Sequence, residues 1–198
     1  MKDYGVKLVL NEIKKYALDN NVPIMLDDGI EFLCSLIKDK KVKTILEIGT
    51  AIGYSSIKMA LVDNDISVTT IERDIDRYNI ALKNIKKTNL DERIKCIYGD
   101  ALDINIDGTY DLIFIDAAKG QNIKFFDKYS KLLNKNGIIV VDNIYFHGVI
   151  YEKDENLSRN VRQLKRKILE FIEYMKENKD FSFELFDDGD GIALITHK

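Results

Sequence analysis

The sequence predicts an α/β fold built on one mostly parallel β-sheet with helices on both faces. Short apolar runs rich in β-branched residues alternate with amphipathic runs of helical spacing, which is the pattern of a doubly wound sheet. The last two apolar runs are separated only by Asp187–Gly191, a link too short for a parallel connection. We therefore expect seven strands, of which the final two form an antiparallel hairpin.

Length and composition predict one domain with a core that needs no disulfides. The chain has 198 residues, of which 45% are hydrophobic and 32% charged. We divide the domain 1–198 into an N-terminal helical cap, 1–40, and a doubly wound core, 41–198. Cys34 and Cys96 lie in apolar runs without metal-ligand spacing, which indicates small core residues in a reducing, cytoplasmic setting.

Neither a membrane segment nor a general nucleic-acid surface is predicted. No apolar run approaches the roughly 18 residues of a membrane span. The N-terminal helix contains Glu, Asp and several Lys, unlike a signal peptide. The net charge of −3 provides no global attraction for nucleic acid, so any contact with RNA has to come from a local patch.

Two amphipathic helices precede the first strand, and the remaining elements alternate. The extended link Val22–Met25 joins these helices and contains the only proline, Pro23. Because the helices precede every strand, we expect them to pack outside the sheet or to roof the site. Helices are predicted at 4–19, 27–38, 55–62, 74–88, 122–134 and 158–176, and strands at 44–48, 67–71, 94–98, 112–115, 138–141, 181–186 and 192–196.

Oxygen-bearing side chains follow two neighbouring parallel strands. Asp116 ends the fourth strand, and Asp142 and Asn143 end the fifth. Ligands bind at the carboxyl ends of strands in open α/β sheets, so these side chains should meet there. Two carboxylates and an amide suit a divalent cation, best Mg²⁺, which prefers oxygen ligands. The alternative is that they only cap helices or form turns.

The turn after the first strand favours a cationic ligand. Glu47, Gly49, Gly53 and Ser55 lie in a segment that matches neither the dinucleotide nor the P-loop fingerprint and has no cation before Lys58. A bound pyrophosphate would be stabilised by backbone amide N–H groups and cationic side chains at this turn. The sulfonium and ammonium groups of S-adenosylmethionine (SAM) suit this acidic turn better.

Acids after the second and third strands fit the same cofactor. Glu72 can accept hydrogen bonds from ribose hydroxyls, and Asp100 with Ala101 would lie near an adenine edge. An acid at the position of Glu72 also serves NAD. The three acidic strand ends together favour SAM over NAD, while each acid alone could be a solvated strand end.

Four segments are considered together: Leu46-Glu47-Ile48-Gly49-Thr50-Ala51-Ile52-Gly53-Tyr54-Ser55, Ile71-Glu72, Ile115-Asp116-Ala117-Ala118-Lys119 and Val141-Asp142-Asn143. They resemble the metal-dependent class I O-methyltransferases, a family that includes the catechol and caffeoyl-CoA types. The chain length and Val22–Met25 look most like the bacterial tRNA 5-hydroxyuridine methyltransferases. Plant members carry additional segments that shape an acyl-CoA site, so an acyl-CoA acceptor is not expected here.

The resemblance implies a Rossmann-like class I methyltransferase fold, SAM as cofactor, a divalent metal and a homodimer. It implies metal ligation by Asp116, Asp142 and Asn143. The SAM contacts that it implies are Met25, Gly49, Ser55, Glu72, Asp100, Ala101 and Asp116.

Lys119 and Asp116 are predicted to be the catalytic residues. A dication near Lys119 would disfavour its ammonium form, which would suit it as general base. Spacing alone equally allows a solvated loop lysine, and the resemblance favours the base. A bound metal prefers an acceptor with two neighbouring oxygens. Catechols and 5-hydroxyuridine both provide such a pair, so metal chemistry does not separate them.

The last helix carries a run of cations that could contact phosphates. Val161, Leu164, Ile168, Leu169 and Ile172 form its predicted apolar stripe, which would turn the cations outward. Such a run is as often a solvated face. The cations are Arg159, Arg162, Lys165, Arg166 and Lys167.

Aromatic residues follow the predicted metal ligands. Tyr145, Phe146 and His147 could stack on a base or fill the wall of the site. His147 has no second ligand at metal spacing, and His197 is predicted to be a surface residue.

Three functions remain open. The first is SAM- and Mg²⁺-dependent methylation of 5-hydroxyuridine at the tRNA wobble position, giving 5-methoxyuridine. The second is O-methylation of a small catechol-like phenol. The third, from another class, is a non-catalytic nucleotide- or RNA-binding module, which would not need the metal-ligand set.

Overall fold

The computed structural model describes residues 2–198, with side chains from Gly5 onward. Its strands and helices alternate as predicted. The helices are α1 (Lys2–Asp19), α2 (Asp27–Asp39), α3 (Tyr54–Ala60), α4 (Ile75–Lys87), α5 (Asn122–Tyr129) and α6 (Arg159–Lys176). The strands are β1 (Thr44–Ile48), β2 (Ser67–Glu72), β3 (Ile94–Tyr98), β4 (Tyr110–Ile115), β5 (Leu133–Val141), β6 (Phe181–Phe186) and β7 (Ile192–His197).

The strands form one sheet in the order β3-β2-β1-β4-β5-β7-β6. Strands β1 to β5 pair in parallel, and β7 runs antiparallel to both β5 and β6. The predicted parallel sheet with a C-terminal hairpin is therefore confirmed. The strand order reverses between β1 and β4, which opens a crevice at the carboxyl ends of these strands.

Both faces of the sheet are buried, as the prediction of helices on both sides requires. Leu112 and Phe114 of β4 contribute to an apolar layer that includes residues of α1 to α4. Ile113 and Ile115, which alternate with them, contribute to a second layer with α5 and α6. Burial of each such side chain stabilises the fold by about 1.5–3 kcal/mol.

The predicted boundary between α5 and β5 is wrong. The helix was expected to reach Asn134, but it ends at Tyr129, and β5 begins at Leu133. The amide of Asn134 donates to the carboxylate of Asp111 at 2.7 Å, and pairing with β4 shifts register in this region. Leu132 and Leu133 have helical spacing in the sequence, yet Leu132 ends a short 3-10 turn and Leu133 pairs with Tyr110 of β4, which overrides that local preference.

The N-terminal helices lie outside the sheet and their connection covers the crevice. Ile13 of α1 and Ile30 of α2 are buried in the first apolar layer. The helices therefore pack outside the sheet, as predicted. Their link also covers the site, because Met25 lines the cavity described below. Cys34 and Cys96 are free, partly buried thiols. Within residues 2–198, no helix combines the length and apolar character needed to cross a membrane.

Candidate active site

A cavity of about 540 Å³ opens at the carboxyl edge of the sheet, where β1 adjoins β4. Its wall includes the α1–α2 link, the ends of several strands and Asp190 from the β6–β7 turn. The predicted site residues that line it are Met25, Gly49, Glu72, Asp100, Ala101, Asp116, Lys119, Asp142 and Asn143.

Gly49 brings the end of β1 against the end of β4. It has a φ of 104°, a left-handed value that favours glycine, and an added Cβ would overlap the carbonyl oxygen of Asp116. The N–H of Asp116 donates to the Ile48 carbonyl at 2.9 Å, and that of Asp142 to the Ile115 carbonyl at 3.1 Å. Backbone hydrogen bonds therefore hold the three strand ends side by side.

Glu72 is held rigidly at the end of β2. Its carboxylate accepts hydrogen bonds from the N–H groups of Ala51, at 2.7 Å, and Asp74, at 2.8 Å. The residue is buried yet borders the cavity. A carboxylate oxygen can accept further hydrogen bonds, so Glu72 keeps the capacity to bind two ligand hydroxyls.

Side chains of α5 hold the loop after β3 through hydrogen bonds to its backbone carbonyls. Nζ of Lys128 donates to the carbonyls of Ala101, Leu102 and Ile104 at 2.9, 2.7 and 2.5 Å. The hydroxyl of Tyr129 donates to the Ala101 carbonyl as well. These bonds hold the predicted adenine-edge residues, Asp100 and Ala101, in the cavity wall. The spacing of residues in the sequence did not predict the hydrogen bonds from Lys128 and Tyr129.

Glu47, Gly53 and Ser55, which were predicted to contact the cofactor, lie outside the cavity lining. Glu47 is fully buried, and its carboxylate accepts hydrogen bonds from the hydroxyls of Ser55, Ser56 and Thr70. Burial raises the pKa of Glu47 to about 7, against the lowering effect of these hydroxyls. The turn is thus less acidic toward a ligand than its composition indicates.

Asp116, Asp142 and Asn143 all line the cavity, at the ends of the neighbouring strands β4 and β5. Burial, and then the charge of Asp116, raises the pKa of the Asp142 carboxyl. Oδ1 of Asn143 is buried and has no hydrogen-bond partner among the described residues. An unpaired buried oxygen beside two repelling carboxylates is the environment that a bound cation would stabilise.

Lys119 lies beside the same two strand ends. Its Nζ donates to Oδ1 of Asp116 at 2.9 Å and to the carbonyl of Asp142 at 3.1 Å. Its side chain is only 11% exposed. The alternative of a solvated loop lysine is therefore wrong, since the ammonium is held between the two aspartates that are the candidate metal ligands.

The aromatic segment after the metal-ligand candidates divides into two parts. Phe146 and His147 line the cavity, whereas Tyr145, predicted to contact substrate, does not. The Tyr145 ring packs against Gly191, and its hydroxyl donates to Asp187. His147 is exposed, as is His197.

We predicted that all the cations of α6 face outward, and the structure shows that one of them, Lys165, does not. Arg159, Arg162 and Arg166 are exposed and line a separate groove of about 560 Å³. Lys165 is turned inward, is 13% exposed and pairs with Asp154 at 2.8 Å. Leu169, assigned to the apolar stripe, is instead 40% exposed and lines the groove.

Several residues of the cavity wall were not predicted from the sequence, among them Arg73, Gln121 and Asp190. Asp190 borders the cavity beside Asp142 and Asn143, although it comes from the turn between β6 and β7. Its run of Asp and Gly neighbours reads as turn chemistry, and that signal gave no reason to expect a site residue there.

Comparisons with known proteins agree with this geometry. Residues 3–198 match a family model described as O-methyltransferase. The chain is 29% identical over 190 residues to the caffeoyl-CoA O-methyltransferase of Populus kitakamiensis, covering 91% of this chain and 80% of that protein.

Solved structures are similar over the whole chain. A provisionally named caffeoyl-CoA O-methyltransferase from Staphylococcus aureus is 35% identical, with a TM-score of 0.90 and coverage of 100% of this chain and 99% of that one. An O-methyltransferase from Bacillus cereus, solved in complex with SAH, is 28% identical, with a TM-score of 0.82 and coverage of 96% and 90%. This chain therefore belongs to the O-methyltransferase family and is a SAM-dependent O-methyltransferase.

Proposed function

We propose that this O-methyltransferase depends on a divalent cation, best Mg²⁺, held by Asp116, Asp142 and Asn143. The observation that carries the proposal is the buried Oδ1 of Asn143, which has no hydrogen-bond partner in the described part of the chain and lies beside two carboxylates. Mg²⁺ binds oxygen ligands and keeps positions free for a substrate. When bound, the ion would lower the pKa of an acceptor hydroxyl and orient it.

The side chains that line the cavity would do the remaining work. SAM supplies a methyl carbon attached to a positively charged sulfur. Glu72 would accept hydrogen bonds from the ribose hydroxyls. A dication bound beside Lys119 would disfavour its ammonium form, and the neutral amine would take the proton of the acceptor hydroxyl. The acceptor oxygen forms a bond to the methyl carbon as the carbon–sulfur bond breaks, and the sulfur keeps that electron pair. Alignment of the two reactants can supply roughly 7–11 kcal/mol of the barrier reduction.

For the acceptor we propose 5-hydroxyuridine at the tRNA wobble position, with 5-methoxyuridine as the product. Its 5-hydroxyl and C4 carbonyl are the neighbouring oxygens that a bound cation favours. The groove of Arg159, Arg162 and Arg166 supports an anionic acceptor. Helix α6, which carries these arginines, also comes close to the site, because its Lys167 lies against Gly120, the neighbour of Lys119.

A small phenol is the second candidate acceptor. The names of similar proteins favour it, since they include a caffeoyl-CoA O-methyltransferase. A phenol with a neighbouring oxygen would chelate the cation in the same way. The third alternative, a non-catalytic module, is not retained, because the chain is a SAM-dependent O-methyltransferase.

Nucleoside analysis of bulk tRNA from a deletion strain tests the acceptor. We expect 5-methoxyuridine to disappear and 5-hydroxyuridine to accumulate, with recovery when the wild-type gene is returned. A gene with Asp142→Ala is the matched control and should not restore the product. Unchanged 5-methoxyuridine would reject tRNA as the acceptor and leave the phenol.

Removal of two arginines from the α6 groove should weaken tRNA binding. The double variant Arg162→Ala/Arg166→Ala should reduce the slope of log affinity against log salt by about one per lost phosphate contact. Lys83→Ala/Lys86→Ala removes the same charge from an exposed face of α4 and should leave the slope unchanged. Affinity for unmodified tRNA, measured over a salt series, provides both slopes. Equal slopes for the two variants would show that the arginines form a solvated face and do not contact the phosphates of tRNA.

A further inference from the structure

The loop that follows the metal-ligand candidates has an uncommon backbone. Asn143, Phe146 and His147 have φ values of 64°, 48° and 54°, all in the left-handed region. This conformation costs a non-glycine residue roughly 1–2 kcal/mol. Several such residues close together persist only where the surrounding structure holds them. The loop therefore needs an anchor outside itself.

Asp190 provides that anchor. The backbone N–H of His147 donates to both carboxylate oxygens of Asp190, at 2.8 and 2.7 Å. Nδ1 of His147 lies 3.2 Å from the same carboxylate. The N–H of Tyr145 donates to the Asp190 carbonyl at 2.8 Å, and that of Ile144 to the Gly191 carbonyl at 2.9 Å. The whole loop is thus bonded to the turn between β6 and β7.

The turn is itself fixed to the scaffold. Gly189 approaches Gly29 of α2 so closely that a Cβ would lie 3.2 Å from the Gly29 Cα. Gly191, with a φ of 81°, lies against the Tyr145 ring, where a Cβ would come within 2.6 Å of ring atoms. Contacts on both sides leave the turn little freedom, so it can hold the strained loop.

Asp190 also lies at the end of the cavity where the reaction would occur. Its side chain is 11% exposed, whereas that of His147 is 74% exposed. Asp190, Asn143, Phe146 and His147 all line the cavity, while Glu72 and Asp100, which also line it, lie on the other side of β1 in the sheet. The anchor therefore acts on the groups near Asp142 and not on the predicted cofactor contacts.

We propose that Asp190 is a positioning residue that fixes the Asn143–Gly148 loop, and with it the Asn143 amide and the Phe146 and His147 wall of the acceptor site. The part that concerns Asn143 rests on the proposed metal site. Without the carboxylate, Phe146 and His147 would be free to relax, because no other contact bonds the His147 N–H among the described residues, and the loop would keep the backbone bonds of Ile144 and Tyr145 to the turn. The Asn143 oxygen and the acceptor wall would then shift together.

Three variants separate the contacts. Asp190→Ala removes the carboxylate, Asp190→Asn keeps one oxygen that can accept from the His147 N–H, and His147→Ala keeps that N–H but removes the imidazole. Asp188→Asn is the control, since Asp188 accepts a hydrogen bond from Gly191 through its backbone carbonyl, which the substitution keeps. Mn²⁺ binding, SAM binding and amide hydrogen exchange of residues 144–148 are measured on each without acceptor.

We expect Asp190→Ala to weaken Mn²⁺ binding roughly 10- to 100-fold, as losses of partners that orient metal ligands do. Amide exchange in the loop should accelerate, while SAM affinity stays within about twofold. Asp190→Asn should recover most of both properties, and Asp188→Asn should resemble wild type. His147→Ala is compared only for Mn²⁺ binding and loop exchange, which it should leave near wild type, because His147 itself lines the acceptor site. The KM of the acceptor should rise in Asp190→Ala, whereas the KM of SAM should not.

Two results would overturn the proposal. Wild-type Mn²⁺ affinity together with unchanged loop exchange in Asp190→Ala would show that the loop needs no anchor. Equal losses of Mn²⁺ and SAM binding would make Asp190 a general determinant of the fold. If wild type binds no Mn²⁺ but Asp190→Ala still accelerates loop exchange, the metal site fails and the anchor stands.

Discussion

Turnover by Asp142→Ala is expected to fall about a thousandfold or more, while SAM affinity stays within about twofold of wild type. A metal ion contributes several kcal/mol to such a reaction, and each 1.4 kcal/mol is about a factor of ten in rate. Asp142 follows β5 beside Asp116, whereas Glu72 ends β2 and Asp100 lies after β3, on the other side of β1 in the sheet. The variant should therefore lose the cation and keep the cofactor.

Initial rates at saturating Mg²⁺ and calorimetric titration with SAM measure the two effects of Asp142→Ala. Asp103→Ala, which removes an exposed carboxylate of the β3–β4 loop, is the control and should retain both properties. Strong loss of SAM binding by Asp142→Ala would place the cation elsewhere. Normal turnover would show that Asp142 is not a ligand.

Gly49→Ala is expected to destabilise the protein by more than about 4 kcal/mol, which is exceptional for one methyl group. The added Cβ would overlap the carbonyl oxygen of Asp116, which is backbone and cannot move without displacing the end of β4. The φ of 104° adds conformational strain. Because this junction carries both the cofactor turn and a metal-ligand candidate, SAM binding should be lost in any protein that still folds.

Urea unfolding of Gly49→Ala and Gly108→Ala separates overlap from strain. Gly108 also has a positive φ, 96°, but an added Cβ would meet no atom within 4 Å. Gly108→Ala should therefore lower the free energy of unfolding only by the cost of a left-handed conformation, roughly 1–2 kcal/mol. If the two variants unfold at the same urea concentration with the same slope, the β1 and β4 ends can separate and close approach at Gly49 is not required.

Strand order and hairpin position illustrate how far local patterns reach. The alternation of apolar runs predicted the parallel sheet and the terminal hairpin, because side-chain periodicity and turn length are local properties. It did not indicate that β7, rather than β6, lies beside β5. That choice depends on how α6 and both hairpin strands pack together.

Side-chain direction at the strand ends was the next limit. Glu47 and Glu72 are both acids near the end of a strand, yet one is fully buried under three hydroxyls and the other borders the cavity. The hydroxyls belong to Ser55, Ser56 and Thr70, two of which lie on the following helix. A carboxylate turns toward such donors because an unsatisfied buried charge is costly.

By itself, the sequence determined the sheet, its helical layers and the collection of oxygen-bearing side chains at one edge, since strand ends and turns follow from short-range chemistry. Tertiary structure decided which of these side chains face the cavity and added Asp190, which packing alone brings beside Asn143. Hydrogen bonds between segments far apart in the chain also hold the loop of Phe146 and His147 in a backbone conformation that local preference disfavours. Such contacts depend on the folded arrangement, so no local pattern predicts them.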